Sequence, residues 1–217
     1  MGDMCRALNT PVTGGNVSFH NESQQHAVFP TPTIGMLGLI DDITTVIGNA
    51  FVKENEHVLM LGWQRSELGG SEYLKTIKGR VTGEAPYIDI DEEVRLQRAT
   101  LLAIRSGLIT AAHDCSEGGL LVALSEMTFG KGLGATINVP FDHNAGNVFG
   151  EAQSRIIVSV PATALDAVRD LCSANEVPLT MLGTTGGDTL NIKGLVNQPV
   201  TDLRAIFEGA LPSIMAS

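Results

Sequence analysis

Near Asn55 the sequence changes character, and the stretch beyond it constrains the fold most. Short apolar runs alternate there with segments of helical periodicity. Arg155–Val160 (RIIVSV) is the clearest strand, rich in the β-branched residues that suit a pleated, packed surface. His57–Gly62 (HVLMLG), 109–113, 135–139, 179–183 and Thr189–Ile192 read as further strands, the last two flanking a Thr-Thr-Gly-Gly-Asp turn. A short helix opens at Gly69-Gly70-Ser71-Glu72, with Tyr73, Leu74 and Ile77 as its apolar side. A longer helix reads as capped by Asp91, with Glu92 and Glu93 in its first turn and Arg95, Arg98 and Arg105 further on, the order that suits a helix dipole. Its predicted buried stripe is Val94, Leu96, Leu101, Leu102, Ile104 and Leu108. Further helices are predicted over 120–127, over 162–174 with Leu165, Val168 and Leu171 on one side, and over 201–208. This alternation is enough material for a separate α/β domain over 53–217.

The preceding stretch, 1–52, is different. Residues 1–8 read as the end of a helix, with Met4, Cys5 and Leu8 on one face, broken at Asn9-Thr10-Pro11. Pro30-Thr31-Pro32 is a stiff turn. Strands are predicted over 33–40 (TIGMLGLI) and 43–47, separated by Asp41-Asp42. A couple of strands cannot bury both of their faces. The expectation is therefore a fragment or an obligate partner.

Hydrophobic residues make up 43% of the 217 and charged residues 18%, a globular balance. The formal net charge of -10 argues against a general nucleic-acid binder but leaves room for a local phosphate pocket. Cys5, Cys115 and Cys172 are widely spaced, with no CxxC pair, which fits a reducing compartment and offers no disulfide framework or zinc site. No apolar run reaches the ~20 residues a bilayer span needs, so the sequence reads as cytoplasmic and free of membrane.

Two stretches carry candidate chemistry. In 10–23 (TPVTGGNVSFHNES), Gly14 and Gly15 free the backbone to form a concave nest of N–H groups. Asn16, Ser18, Asn21 and Glu22 add oxygens of the kind Mg²⁺ prefers. A phosphate-and-metal loop and an ordinary polar loop with a Gly-Gly turn both fit. In 113–119 (HDCSEGG), an Asp and a Glu sit beside two glycines where a strand gives way to a helix. That stretch reads as an anion or metal turn, or as a helix cap made by Asp114 or Ser116. Cys115 reads as a buried, inert thiol, since no His–Asn constellation accompanies it. His20, His26, His57, His113 and His143 show no metal-ligand spacing. Arg155 reads as a phosphate contact or a strand-edge arginine, and Asp41-Asp42 as a metal pair or a turn.

TPVTGGNVSFHNES, PTPTIGMLGLIDD, LGGSEYL and AHDCSEGGLLVALSEM, in that order, resemble the phosphoribosylformylglycinamidine synthase family, and the resemblance runs over essentially the whole chain. It fits the C-terminal part of the small, synthetase-subunit form, in the superfamily of aminoimidazole ribonucleotide synthetase and selenophosphate synthetase. The implied fold is α+β. Residues 1–52 would be a truncated ferredoxin-like segment, like the N-terminal domain of aminoimidazole ribonucleotide synthetase, carrying the TGGNVS loop. Residues 53–217 would be an α/β domain of the superfamily's C-terminal type. Met1 would correspond to an internal methionine.

The resemblance implies an ATP-dependent carbon–nitrogen ligase of purine biosynthesis, making formylglycinamidine ribonucleotide from formylglycinamide ribonucleotide and glutamine-derived ammonia. Gly15 would contact ATP, Asn16 would ligate Mg²⁺, and Ser18 would contact the substrate. The family's catalytic histidines and ATP-contacting lysine belong to the other half, so no catalytic residue is expected here and the fragment is expected to be inactive alone. The implied partners are that missing N-terminal half, a separate glutaminase subunit, a small accessory subunit and, for the unpaired first-domain strands, a second copy of the fragment. Pseudo-symmetry between the halves points to an auxiliary nucleotide or metal site at 113–119 and 151–155, with Asp114 near the metal. The alternative is a non-catalytic module that holds a structural nucleotide or docks partner subunits.

Overall fold

The computed structural model describes residues 1–17, 22, 27 and 31–216. Among the candidate residues, Ser18, His20, Asn21 and His26 lie outside the described residues. The chain divides into two units, Met1–Thr44 and Thr45–Ser217. Residues 45–52 go with the larger unit because Phe51 is fully buried in its core and its N–H bonds the Met127 carbonyl at 2.7 Å.

The larger unit is a mixed sheet with helices on both faces. Its elements in chain order, after α1 (Gly2–Ala7) in the smaller unit, are β1 (His57–Gly62), α2 (Glu72–Lys78), α3 (Ile90–Arg105), β2 (Ala111–Asp114), α4 (Gly119–Phe129), β3 (Ala135–Ile137), α5 (Ala145–Val148), β4 (Arg155–Val160), α6 (Leu165–Ala174), β5 (Leu179–Thr185), β6 (Thr189–Ile192), β7 (Val196–Pro199) and α7 (Val200–Met215). The strand order is β2-β4-β1-β5-β3-β6-β7, antiparallel throughout except for the parallel pair β3–β6.

β1 lies inside this sheet, between β4 and β5, and its sequence explains why. Successive side chains point to opposite faces, so Val58 and Met60 join Leu120, Leu124 and Met127 of α4, while Leu59 and Leu61 join Leu96 and Ala99 of α3 and Val168 of α6. Both faces are covered, and HVLMLG is accordingly apolar without alternation.

Several elements differ from the expectations, for identifiable reasons. The cap of α3 is Asp89, whose carboxylate accepts from the N–H groups of Asp91 at 2.9 Å and Glu92 at 3.0 Å. Asp91 lies one residue inside the helix, where it adds charge to the first turn. The buried face of α3 is Leu96, Ala99, Thr100 and Ala103, a strict i, i+3, i+4, i+7 stripe; Leu101 and Leu102 point outward, 45% and 39% exposed. Leu96 is buried as expected and Ile104 and Leu108 pack partly buried against the same core, while the small residues Ala99, Thr100 and Ala103 complete the inner face. α7 continues through Pro212 to Met215, well past 208. β7 and the short α5 have little apolar content and carry no clear signal in the sequence.

In the smaller unit the residues 33–40 form no strand, and 43–47 hold only a single 3₁₀ turn at Ile43–Thr45. Asp42 shapes that turn by accepting from the Thr44 N–H at 2.9 Å and its hydroxyl at 2.6 Å. A strand needs a hydrogen-bonded neighbour, and none lies beside 33–40 among the described residues.

Candidate functional site

A cleft of about 500 Å³ opens at one end of the large sheet. β1 ends there at Gly62, opposite Arg155 where β4 begins, and β2 ends at Asp114, opposite Ile156. The connecting segments beside these strand ends form the walls: Gly69 and Gly70 ahead of α2, 114–117 ahead of α4, and 151–155 ahead of β4.

The third wall is built around a buried guanidinium. Arg155 is 3% exposed. Its Nε donates to the Ala152 carbonyl at 3.2 Å and Nη2 to the Gly150 carbonyl at 2.5 Å, so the loop curls around its own arginine. Nη1 is buried with no hydrogen-bond partner among the described residues. A strand-edge arginine would extend into water; this one is buried in the cleft wall, with one donor unmet and its positive charge beside the lining. Ser154 sits in the left-handed region, φ 60°, and donates from Oγ to Glu93 Oε2 at 2.6 Å, tying the loop to α3.

The rest of the lining is acidic. Glu93, Asp114, Glu117 and Glu151 all reach the cleft. Asp114 is exposed: its carboxylate accepts from the Ser116 hydroxyl and lies 3.6 Å from His113 Nδ1. His113 is held by Glu126, with Nε2 and Oε2 2.8 Å apart. Asp114 thus shapes the turn ahead of α4 without capping the helix; Gly118 occupies the cap position, with φ 77°. Carboxylates around one guanidinium disfavour a bare polyphosphate and favour one carrying a divalent cation. No three His, Cys, Asp or Glu side chains gather closely enough to hold a metal by themselves among the described residues. The oxygens therefore fit Mg²⁺ as part of a ligand that brings phosphate oxygens of its own.

Cys115 lines the same cleft, but burial pushes its thiol up to about 11, against the opposing pull of the Arg155 charge. It stays protonated at neutral pH and is no nucleophile there.

Residues 53–193 match the family described as AIR synthase related protein, C-terminal domain. The chain belongs to that family. Curated relatives include phosphoribosylformylglycinamidine synthase subunit PurL from Anaeromyxobacter sp. (strain Fw109-5), 40% identical over 99% of this chain and 30% of the relative. The same subunit from Salinibacter ruber is 47% identical over 98% of this chain and 30% of the relative. The chain thus spans about 30% of the length of these relatives. Among solved structures, Thermotoga maritima PurL complexed with ATP is similar with a TM-score of 0.59 at 17% identity, over 75% of this chain and 28% of that one. The T. maritima PurL complex with FGAR gives a TM-score of 0.61 at 16% identity, over 75% of this chain and 30% of that one. At such identities the likeness concerns the fold, an α+β architecture of the AIR synthase type.

The candidate residues fall in both units. Gly15 and Asn16 belong to the smaller unit, exposed and outside regular secondary structure; a Cβ at Gly15 would meet nothing within 4 Å. Asp114 lies on the cleft of the larger unit, together with 151–155. The sequence reading missed the contributions of Glu93 and Ser154, whose signal is tertiary. The glycines of 113–119 do permit close packing: a Cβ on Gly119 would come within 2.4 Å of the Gly150 carbonyl oxygen, and one on Gly150, which the sequence reading did not single out, within 2.1 Å of that of Gly146.

Proposed function

We propose that this chain is the C-terminal part of the synthetase subunit of phosphoribosylformylglycinamidine synthase, acting in the cytoplasm in purine biosynthesis. The observation that carries this reading is the likeness to PurL subunits over nearly the whole chain, small unit included. The complexes of T. maritima PurL with ATP, ADP and FGAR supply the ligand classes. The activity belongs to the longer polypeptide: formylglycinamide ribonucleotide, ATP and ammonia give formylglycinamidine ribonucleotide, ADP and phosphate. ATP phosphorylates the formamide oxygen, and ammonia then displaces the phosphate; positioned donors and Mg²⁺ stabilise the charge of the phosphoryl step.

In this reading residues 14–18 are the chain's contribution to that site; of these, 14–17 are exposed. The backbone at Gly15 approaches ATP, the Asn16 side-chain oxygen ligates Mg²⁺, and Ser18 contacts the substrate. Residues 1–44 are then part of a ferredoxin-like domain, shorter than the expected 1–52 because 45–52 go with the larger unit. Its missing strands come from the remainder of the polypeptide or a second copy. Ammonia comes from a separate glutaminase subunit with a small accessory protein, in keeping with the PurLQS assembly of T. maritima. Mixing this chain with the separately produced N-terminal remainder tests the reading. Amidine formation should require both pieces and fall by about two orders of magnitude with Asn16→Ala, the scale of losing one positioned electrostatic group. Full turnover by either piece alone would contradict it.

A second role rests on the cleft of the larger unit, whose wall carries the buried Arg155 charge among acidic lining residues. The larger unit holds a nucleotide of its own there, a structural Mg²⁺–nucleotide with Asp114 near the metal. This role and the first concern different units of the chain and are compatible.

A further inference from the structure

We infer that Glu151 is the positioning residue of the cleft, a carboxylate that fixes the spacing of its three walls; its role in ligand binding rests on the nucleotide reading of the cleft. A single oxygen, Oε1, accepts two backbone N–H groups from two different elements: Glu72 at 2.8 Å, the first residue of α2, and Gly118 at 2.9 Å, the cap residue of α4. Glu151 itself belongs to the third wall, ahead of β4. One atom therefore joins three segments that are separated by 33 and 79 residues in sequence.

The position of Glu151 is itself determined from behind. Arg155 holds the carbonyls of Gly150 and Ala152, the residues on either side of Glu151. Gly119 packs against the Gly150 backbone too closely for any side chain. Ser154 ties the same loop to Glu93 of α3. With its backbone clamped, the carboxylate has little freedom, and both bonds are charge-assisted at helix starts, where the partial positive charge of unpaired N–H groups favours an anion. The two amides are otherwise orphan donors at the base of the Gly69-Gly70 wall and the 114–117 wall. Oε2 has no hydrogen-bond partner among the described residues, so holding the walls engages only half of the carboxylate.

Nothing else among the described residues bonds these walls to one another by side chain in this way. Removing the carboxylate releases the starts of α2 and α4 while leaving the β1–β4 pairing untouched. Replacing it by glutamine keeps an acceptor oxygen at the same reach.

Residue-level amide hydrogen exchange on the full chain, by two-dimensional NMR, is paired with titration of Mg²⁺–ADP. Wild type, Glu151→Ala and Glu151→Gln are compared. In Glu151→Ala the amides of Glu72 and Gly118 should exchange about tenfold faster or more, the loss of a charge-assisted bond, while those of Met60 and Val158 keep their protection. Mg²⁺–ADP affinity should fall by about tenfold in parallel, and Glu151→Gln should restore both to within roughly threefold of wild type. A merely structural glutamate would weaken protection in the strands as well and would give no selective change at these two amides. Unchanged exchange at Glu72 and Gly118 in Glu151→Ala would overturn the inference, as would equal damage to the strand amides in the alanine and glutamine variants. If wild type does not bind Mg²⁺–ADP, the nucleotide reading fails, and the exchange data alone decide whether Glu151 holds the walls.

Discussion

Two apolar runs of similar composition meet opposite fates. Leu59, Met60 and Leu61 in β1 are 0% exposed, whereas Leu37 and Leu39 in the smaller unit are 101% and 97% exposed. Hydrophobicity is not what separates them. β1 has a hydrogen-bonded strand on each side and helices over both faces; the run at 33–40 has no strand beside it among the described residues. Apolar sequence becomes a strand only where the chain also supplies neighbours for the backbone groups and a surface for the side chains. The larger unit is complete in that sense, and the smaller one leaves its apolar side chains exposed.

Truncation in the two runs gives the sharpest contrast. Leu59→Ala should cost about 2–5 kcal/mol in urea unfolding, as for a fully buried leucine, and Leu37→Ala should change stability by less than about 0.5 kcal/mol. Equal effects would break the comparison. Two glycines extend it to the backbone. Gly119→Ala combines a left-handed φ of 66° with a 2.4 Å encounter with the Gly150 oxygen and should cost on the order of 1–3 kcal/mol. Gly14→Ala, where a Cβ meets nothing within 4 Å, should stay within about 0.5 kcal/mol by the same measurement.

Thiol chemistry reads out the same difference without mutation. Cys115 is buried and its thiol is raised to about 11, whereas Cys5 in α1 is partly exposed. At pH 8 a disulfide reagent should modify Cys115 on the order of a hundredfold more slowly than Cys5 in the native chain. The smallest effect concerns the cap of α3. The backbone N–H of Glu92, and after it that of Asp91, hold the Asp89 carboxyl below its ordinary value. A lowered folded-state pKa means the cap contributes fully above the unfolded value and is lost as pH falls through the folded one. Asp89→Ala should therefore flatten part of the acid side of the stability profile while leaving the alkaline side unchanged.

Legibility in the sequence divides along the same line. β1 and β4 carry their own signals in apolar or β-branched runs, β6 in the alternation of Leu190 and Ile192 with polar neighbours, and α2 announces itself with Ser71 ahead of Glu72. On α3 and just beyond it the sequence marks Leu96, Ile104 and Leu108, which do pack inward, but not Ala99, Thr100 and Ala103, which carry little hydrophobic signal and complete the buried face. The run at 33–40 misleads because its pattern reports what a segment could bury, not whether a neighbour exists. At the site, Asp114 and Arg155 are legible as residues of interest. That Arg155 is buried with an unmet donor, and that Glu151 reaches two helix starts at once, depend on contacts across tens of residues that no local pattern encodes.

Calorimetric titration of Mg²⁺–ADP into wild type, Asp114→Ala and Asn16→Ala tests the central claim that the larger unit carries a nucleotide cleft of its own while the smaller unit's loop serves a site completed by the rest of the longer protein. The account predicts binding by wild type, a loss of about tenfold or more with Asp114→Ala, the scale of one charged contact, and no change with Asn16→Ala. Binding that is lost with Asn16→Ala and indifferent to Asp114→Ala would contradict it.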